Sequence, residues 1–204
     1  LDALAEKDRL IPAFVIGNAI LWERQGLETL HALMHRHRVR AFRLFPSLLN
    51  HTLAQVEPLL EQLVAYSPTL FIDIRTVSQP DAIGELASKF PRLNFVVTHC
   101  SWPNLTTLFD LLSRHENIHA ETSWLHTCGT VEQIVQQFGA HRLLFGIGSP
   151  LNQGACIAEL AHANLTEGEL RQIAHQNLER LLGLSFRNDC IIPKPGNRLW
   201  SHLL

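Results

Sequence analysis

The stretch Arg142-Leu143-Leu144-Phe145-Gly146-Ile147-Gly148-Ser149-Pro150 decides the reading of the fold. An apolar run, residues 143–145, stops at two glycines, a serine and a proline, and a helical pattern follows. Buried parallel strands end in this way. In α/β folds, the carboxyl end of such a strand is where chemistry is placed.

Working outward, the same unit recurs along the chain. Apolar runs at 11–17, 38–46, 70–75, 94–99 and 117–123 each read as a strand, and the opening stretch is the sixth. Between them lie segments with helical periodicity. Leu27, Leu30, Leu33 and Met34 mark a helix over 22–37, and Leu53, Val56, Leu59, Leu60, Leu63 and Val64 mark the next. Further helices are expected over 81–90, 103–115, 131–138, 155–163 and 167–182. Pro103 suits a first helical turn, and Gly139 and Gly183 suit C-caps. Thr166 and Glu169 form a capping-box pattern. Six β/α units in a row imply parallel strands with right-handed crossovers. A doubly wound sheet and a (β/α)8 barrel both fit. A barrel typically takes about 250 residues, so the barrel reading expects the first strand or strands to lie upstream. Residues 1–9 carry neither a signal peptide nor a starting methionine, and they read as the tail of a helix that began earlier.

Composition narrows the class. A net charge of −2 gives no electrostatic case for nucleic acid or an anionic membrane. No apolar run approaches the roughly 20 residues that span a bilayer. Cys100, Cys128, Cys156 and Cys190 are widely spaced with no Cys-x-x-Cys pair, which fits reduced thiols in a cytoplasmic protein. With 12 histidines in the chain, one histidine is weak evidence of function by itself.

Strand ends supply the candidates. Asp73 and Arg75 fall at the end of the third strand in a period-2 register, as either a cavity pair or a structural ion pair. His99 follows Phe95-Val96-Val97-Thr98, and a buried imidazole there requires a partner. Glu121 and His126 bracket the end of the fifth strand, with Ser123 and Trp124 between them. His35-Arg36-His37 has the spacing of a metal pair but sits near a helix C-terminus, where cations are favoured anyway. Gly146-Ile147-Gly148-Ser149 is a weak candidate for phosphate.

Several phrases carry a resemblance. Residues 90–99 (Phe90-Pro91-Arg92-Leu93-Asn94-Phe95-Val96-Val97-Thr98-His99) resemble an amidohydrolase-superfamily strand ending in a metal-site histidine. Residues 117–123 are similar to that family's next strand, residues 138–146 to the phrase before its catalytic aspartate, and residues 176–184 to its closing helix. The resemblance implies an α/β fold of the (β/α)8 TIM-barrel type, with about six units visible over 1–184 and a tail over 185–204. It also implies metal-dependent hydrolysis or decarboxylation of a small polar substrate. The implied cofactor is a divalent metal, zinc first. His99, Asp73, Glu121 and His126 are its candidate ligands, Asp73 and His99 the catalytic groups, and Arg75, Trp102 and Trp124 the substrate contacts. There are departures as well. Asp73, or Arg75 on a shifted alignment, stands where the family has a histidine, and Gly148 stands where it has the aspartate. These departures support a second expectation, of a catalytically inactive barrel with no cofactor that serves binding or assembly as a homo-oligomer or with a partner chain.

Overall fold

Strand order separates the two architectures. The computed structural model describes residues 10–37 and 39–184. Among these, β1 (Ala13–Val15), β2 (Ala41–Leu44), β3 (Thr69–Asp73), β4 (Asn94–Thr98), β5 (Ile118–Glu121) and β6 (Leu143–Leu144) form one six-stranded sheet ordered β1-β2-β3-β4-β5-β6. The registered pairs are parallel, as in Ala41 opposite Thr69 and Thr69 opposite Asn94. A doubly wound sheet reverses its order at a switch point, whereas a (β/α) barrel keeps sequence order. The order here is that of a barrel.

The helices follow the strands: α1 (Gly26–His37), α2 (Glu57–Leu63), α3 (Asp81–Lys89), α4 (Leu105–Arg114), α5 (Thr130–Phe138), α6 (Gln153–His162), α7 (Glu167–Arg171) and α8 (Asn177–Leu182). A π-helical turn, Gln172–Gln176, joins α7 to α8. The strand cores are fully buried at Phe42, Leu44, Leu70, Ile72, Phe95 and Val97, as expected when both faces of a parallel sheet are covered. No helix among the described residues is long and apolar enough to cross a membrane. The expected tail over 185–204, residues 1–9 and Arg38 lie outside the described residues.

The described chain divides into two units. The residues up to Thr98 with Thr106–His119 form the first, and His99–Leu105 with those from Ala120 onward form the second. In the first, Asn117 donates its side-chain amide to the carbonyls of Ala87, Phe90 and Leu93, tying the end of α3 to the start of β5. Asn177 does the equivalent work in the second unit. Buried at 3% exposure, it donates to Ala140 O and Leu143 O, each at 2.8 Å, and so fixes the entry to β6 from α8.

The punctuation follows the sequence closely. Thr166 and Glu169 make both bonds of the capping box at α7, and Gly139 and Gly183 end their helices at φ 88° and 60°. Pro103 sits in a 3-10 turn, Trp102–Asn104, leading into α4. His35, Arg36 and His37 occupy the last turn of α1, where the helix dipole favours cations. Some expected spans are shortened or interrupted: β5 ends at Glu121, and a π turn interrupts the helix expected over 167–182. Arg75 does not continue β3, which stops at Asp73, and residues 74–76 form a 3-10 turn. The cause is local, because the Asp73 carboxylate accepts the Arg75 backbone N–H at 3.1 Å and bends the chain out of the strand.

Replacing Asn177 with Ala removes both bonds, leaving Ala140 O with the Leu143 N–H alone, and two lost hydrogen bonds cost about 1–3 kcal/mol together. Urea unfolding of Asn177→Ala is expected to show a loss of that size. A loss under about 0.5 kcal/mol would remove this account of the β6 entry.

Candidate functional site

In the second unit the chemistry-bearing side chains gather where β5 and β6 end. Pairing continues one residue past β5, with Thr122 N donating to Leu144 O at 3.0 Å. The chain then turns, so that Leu125 N reaches Thr122 O, also at 3.0 Å. This turn leaves Glu121 buried at 9% exposure. One carboxylate oxygen, Oε2, accepts the Ser123 hydroxyl at 2.8 Å, and the other, Oε1, accepts the Ser123 backbone N–H at 3.2 Å. Two donors on a buried carboxylate offset much of its desolvation cost.

The facing loop after β6 accommodates this carboxylate through its glycines. Gly146 donates its N–H to Thr122 Oγ1 at 3.2 Å. A β-carbon at 146 would lie 1.5 Å from Glu121 Oε1 and 2.2 Å from its carboxyl carbon, so Glu121 fills the space a side chain would take. Gly148 has φ 61°, a left-handed conformation that L side chains rarely adopt. A β-carbon there would fall 2.7 Å from Trp124 Nε1 and 2.8 Å from Ser123 Oγ. The indole Nε1 is itself buried and has no acceptor among the described residues.

Three rings follow one another. His99, just past β4, has φ 59°, and its ring centroid is 6.2 Å from that of Trp124, which is 6.2 Å from that of His126. His126 Nδ1 bonds to Glu159 Oε2 at 2.9 Å, tying the loop after β5 to α6. Burial raises the Glu159 carboxyl above its ordinary range and outweighs the opposing bond to His126. One turn earlier on α6, the Cys156 thiol donates to Ser123 O at 3.5 Å. Burial, then Glu159 and Glu121, push this thiol up, so it stays protonated and is a poor nucleophile.

Asp73 and Arg75 form their own pair in the first unit. Asp73, 3% exposed, accepts Arg75 Nε at 3.0 Å and Nη2 at 2.7 Å, a fork in which both carboxylate oxygens are engaged. The bond from Asp73 raises the Arg75 pKa above its ordinary value. The Arg75 side chain remains 56% exposed. Trp102 stands 73% exposed in its 3-10 turn.

The second unit thus brings together His99, Trp124 and His126, and places Glu121 beside Ser123. Sequence reading took Gly146 only as part of a weak phosphate candidate and Cys156 only as a reduced thiol, and it passed over Glu159. For Gly146 the signal was its position directly after the apolar run. Among the described residues, no three His, Cys, Asp or Glu side chains come together in a way that could hold a metal ion. A catalytic zinc takes about three protein ligands. Asp73 bonds to Arg75, Glu121 to Ser123 and His126 to Glu159.

A parallel sheet in sequence order, with polar side chains collected at its strand ends, defines a TIM-barrel-type α/β domain of the kind that carries enzyme sites. The sequence matches the amidohydrolase family over residues 1–184, and the chain belongs to that family. Among curated proteins no sequence matches. Solved structures share the fold. An uncharacterized TIM-barrel protein from Bordetella bronchiseptica is 20% identical with a TM-score of 0.72, over 89% of this chain and 69% of that one. A 2,6-dihydroxybenzoate decarboxylase from Rhizobium is 14% identical with a TM-score of 0.63, over 89% and 74%. A 5-carboxyvanillate decarboxylase from Novosphingobium aromaticivorans, complexed with manganese and 4-hydroxy-3-methoxy-5-nitrobenzoic acid, is 14% identical with a TM-score of 0.70, over 90% and 67%.

Gly148 offers a direct check of the site's geometry. Left-handed backbone disfavours most L-residues, Asp less than others, but a β-carbon at 148 would lie 2.7 Å from Trp124 Nε1 and 2.8 Å from Ser123 Oγ, leaving no room for it. Gly148→Asp is therefore expected to lower Tm by at least about 5 °C and to gain no metal binding in a manganese titration. A stable variant that takes up stoichiometric manganese would show that the loop is open at this position.

Proposed function

We propose that this chain is an amidohydrolase-superfamily barrel domain whose strand-end site holds a small polar or aromatic molecule without a catalytic metal. One observation carries the reading. At Gly148, where the resemblance places the family's aspartate, the backbone is left-handed and Trp124 and Ser123 occupy the side-chain space. Both a metal ligand and a proton carrier are replaced there by packing. In this reading Arg75, Trp102 and Trp124 are the ligand contacts. The largely exposed guanidinium of Arg75 suits an anionic group, and the open ring face of Trp102 suits a planar one. The domain spans 1–184 and the tail 185–204. A homo-oligomer or a partner chain belongs to this reading. Four widely spaced cysteines with no Cys-x-x-Cys pair support a cytoplasmic setting.

A second reading has a specific observation behind it. His99 adopts φ 59° at a strand end, and a non-glycine residue held there often marks a functional site. On that reading His99 and Asp73 are catalytic, and His99 with Glu121 or His126 holds a divalent ion, zinc or manganese as in the decarboxylase relative.

Metal analysis by mass spectrometry, after expression in medium supplied with zinc and manganese, separates the two. The first reading expects well under one metal per chain and no carbon dioxide release from hydroxybenzoates. One metal per chain, lost in His99→Ala together with turnover, would establish the second reading in its place.

A further inference from the structure

We infer that Glu121 is a positioning residue that closes the strand-end site of the second unit from within and takes the place a metal would otherwise have in joining its loops. The inference deepens the metal-free reading above and rests on it. The Glu121 carboxylate is buried, and it binds Ser123 through both the hydroxyl and the backbone N–H. Its Oε1 lies where a side chain at position 146 would be. Ser123 in turn receives the Cys156 thiol at its carbonyl and, through its Oγ, limits the space at Gly148. One carboxylate therefore fixes both loops. It sets the turn after β5 that carries Trp124 and His126, and it occupies the side-chain space of Gly146 in the glycine-rich stretch after β6.

A metal ion joins strand ends by drawing carboxylate and imidazole ligands from several loops to one centre. Here the carboxylate is turned instead toward a hydroxyl, an amide and a glycine. Any ligand in this part of the site meets loops already built by the chain itself. The requirement for glycine at 146 follows from close approach, since its φ is not positive and the atoms nearest a β-carbon there all belong to the Glu121 side chain.

The test is a double-mutant cycle with a spectroscopic readout. Gly146→Ala is expected to lower Tm by about 5 °C or more, and Glu121→Ala combined with Gly146→Ala is expected to recover at least about half of that fall. If Gly146→Ala does not fold, a folded double variant supports the lock. Equal loss in both backgrounds, or failure of both to fold, overturns it. The indole N–H proton of Trp124, assigned with Trp124→Phe, should shift in Glu121→Ala and stay sharp in wild type with one equivalent of paramagnetic manganese. Selective broadening of that signal by manganese would overturn the metal-free reading itself. Absence of coupling between positions 121 and 146, with the signal still sharp, would overturn only the role of Glu121.

Discussion

The contact between the Glu121 carboxylate and Gly146 sets the chemistry open to this site. A carboxylate at the end of a buried parallel strand is costly unless donors meet it, and here Ser123 supplies two. Once oriented that way, the carboxylate excludes any side chain at 146, and the loop after β6 must approach as bare backbone. Gly148, Trp124 and the His126–Glu159 bond then follow as neighbours of a loop whose path is already fixed. The same fold in the decarboxylase relative carries manganese. In this chain the donors of the second unit are turned toward one another.

The first unit shows the same tendency. Asp73, a candidate ligand by position, is gripped by Arg75 through a two-bond fork and a backbone N–H. Both carboxylate oxygens are engaged by a cation two residues away, and the turn this creates ends β3. Such a pair holds its geometry and offers an exposed guanidinium rather than a bare carboxylate.

Much of the fold was legible because parallel strands buried on both faces must be apolar throughout. Runs such as 94–98 and 143–144 stand out for that reason, as do the helix stops at Gly139 and Gly183. The capping box at Thr166 was readable because its bonds span three residues. What stayed hidden depends on contacts far apart in sequence. Glu121 meets Gly146 and His126 meets Glu159 only through the placement of β6 and α6, and no local pattern encodes either. The Arg75 turn was missed for a different reason. Alternation along a strand predicts direction only while the strand continues, and a side-chain bond to the backbone ended it early.

The central claim is that the strand ends of the second unit are closed by their own side chains. Anomalous scattering from crystals grown with excess manganese, collected at the manganese edge, tests it most directly. The account predicts no anomalous peak beside His99, Glu121 or His126, with Glu121 still bonded to Ser123. A full-occupancy peak coordinated by His99 and Glu121, with Glu121 swung away from Ser123, would contradict it.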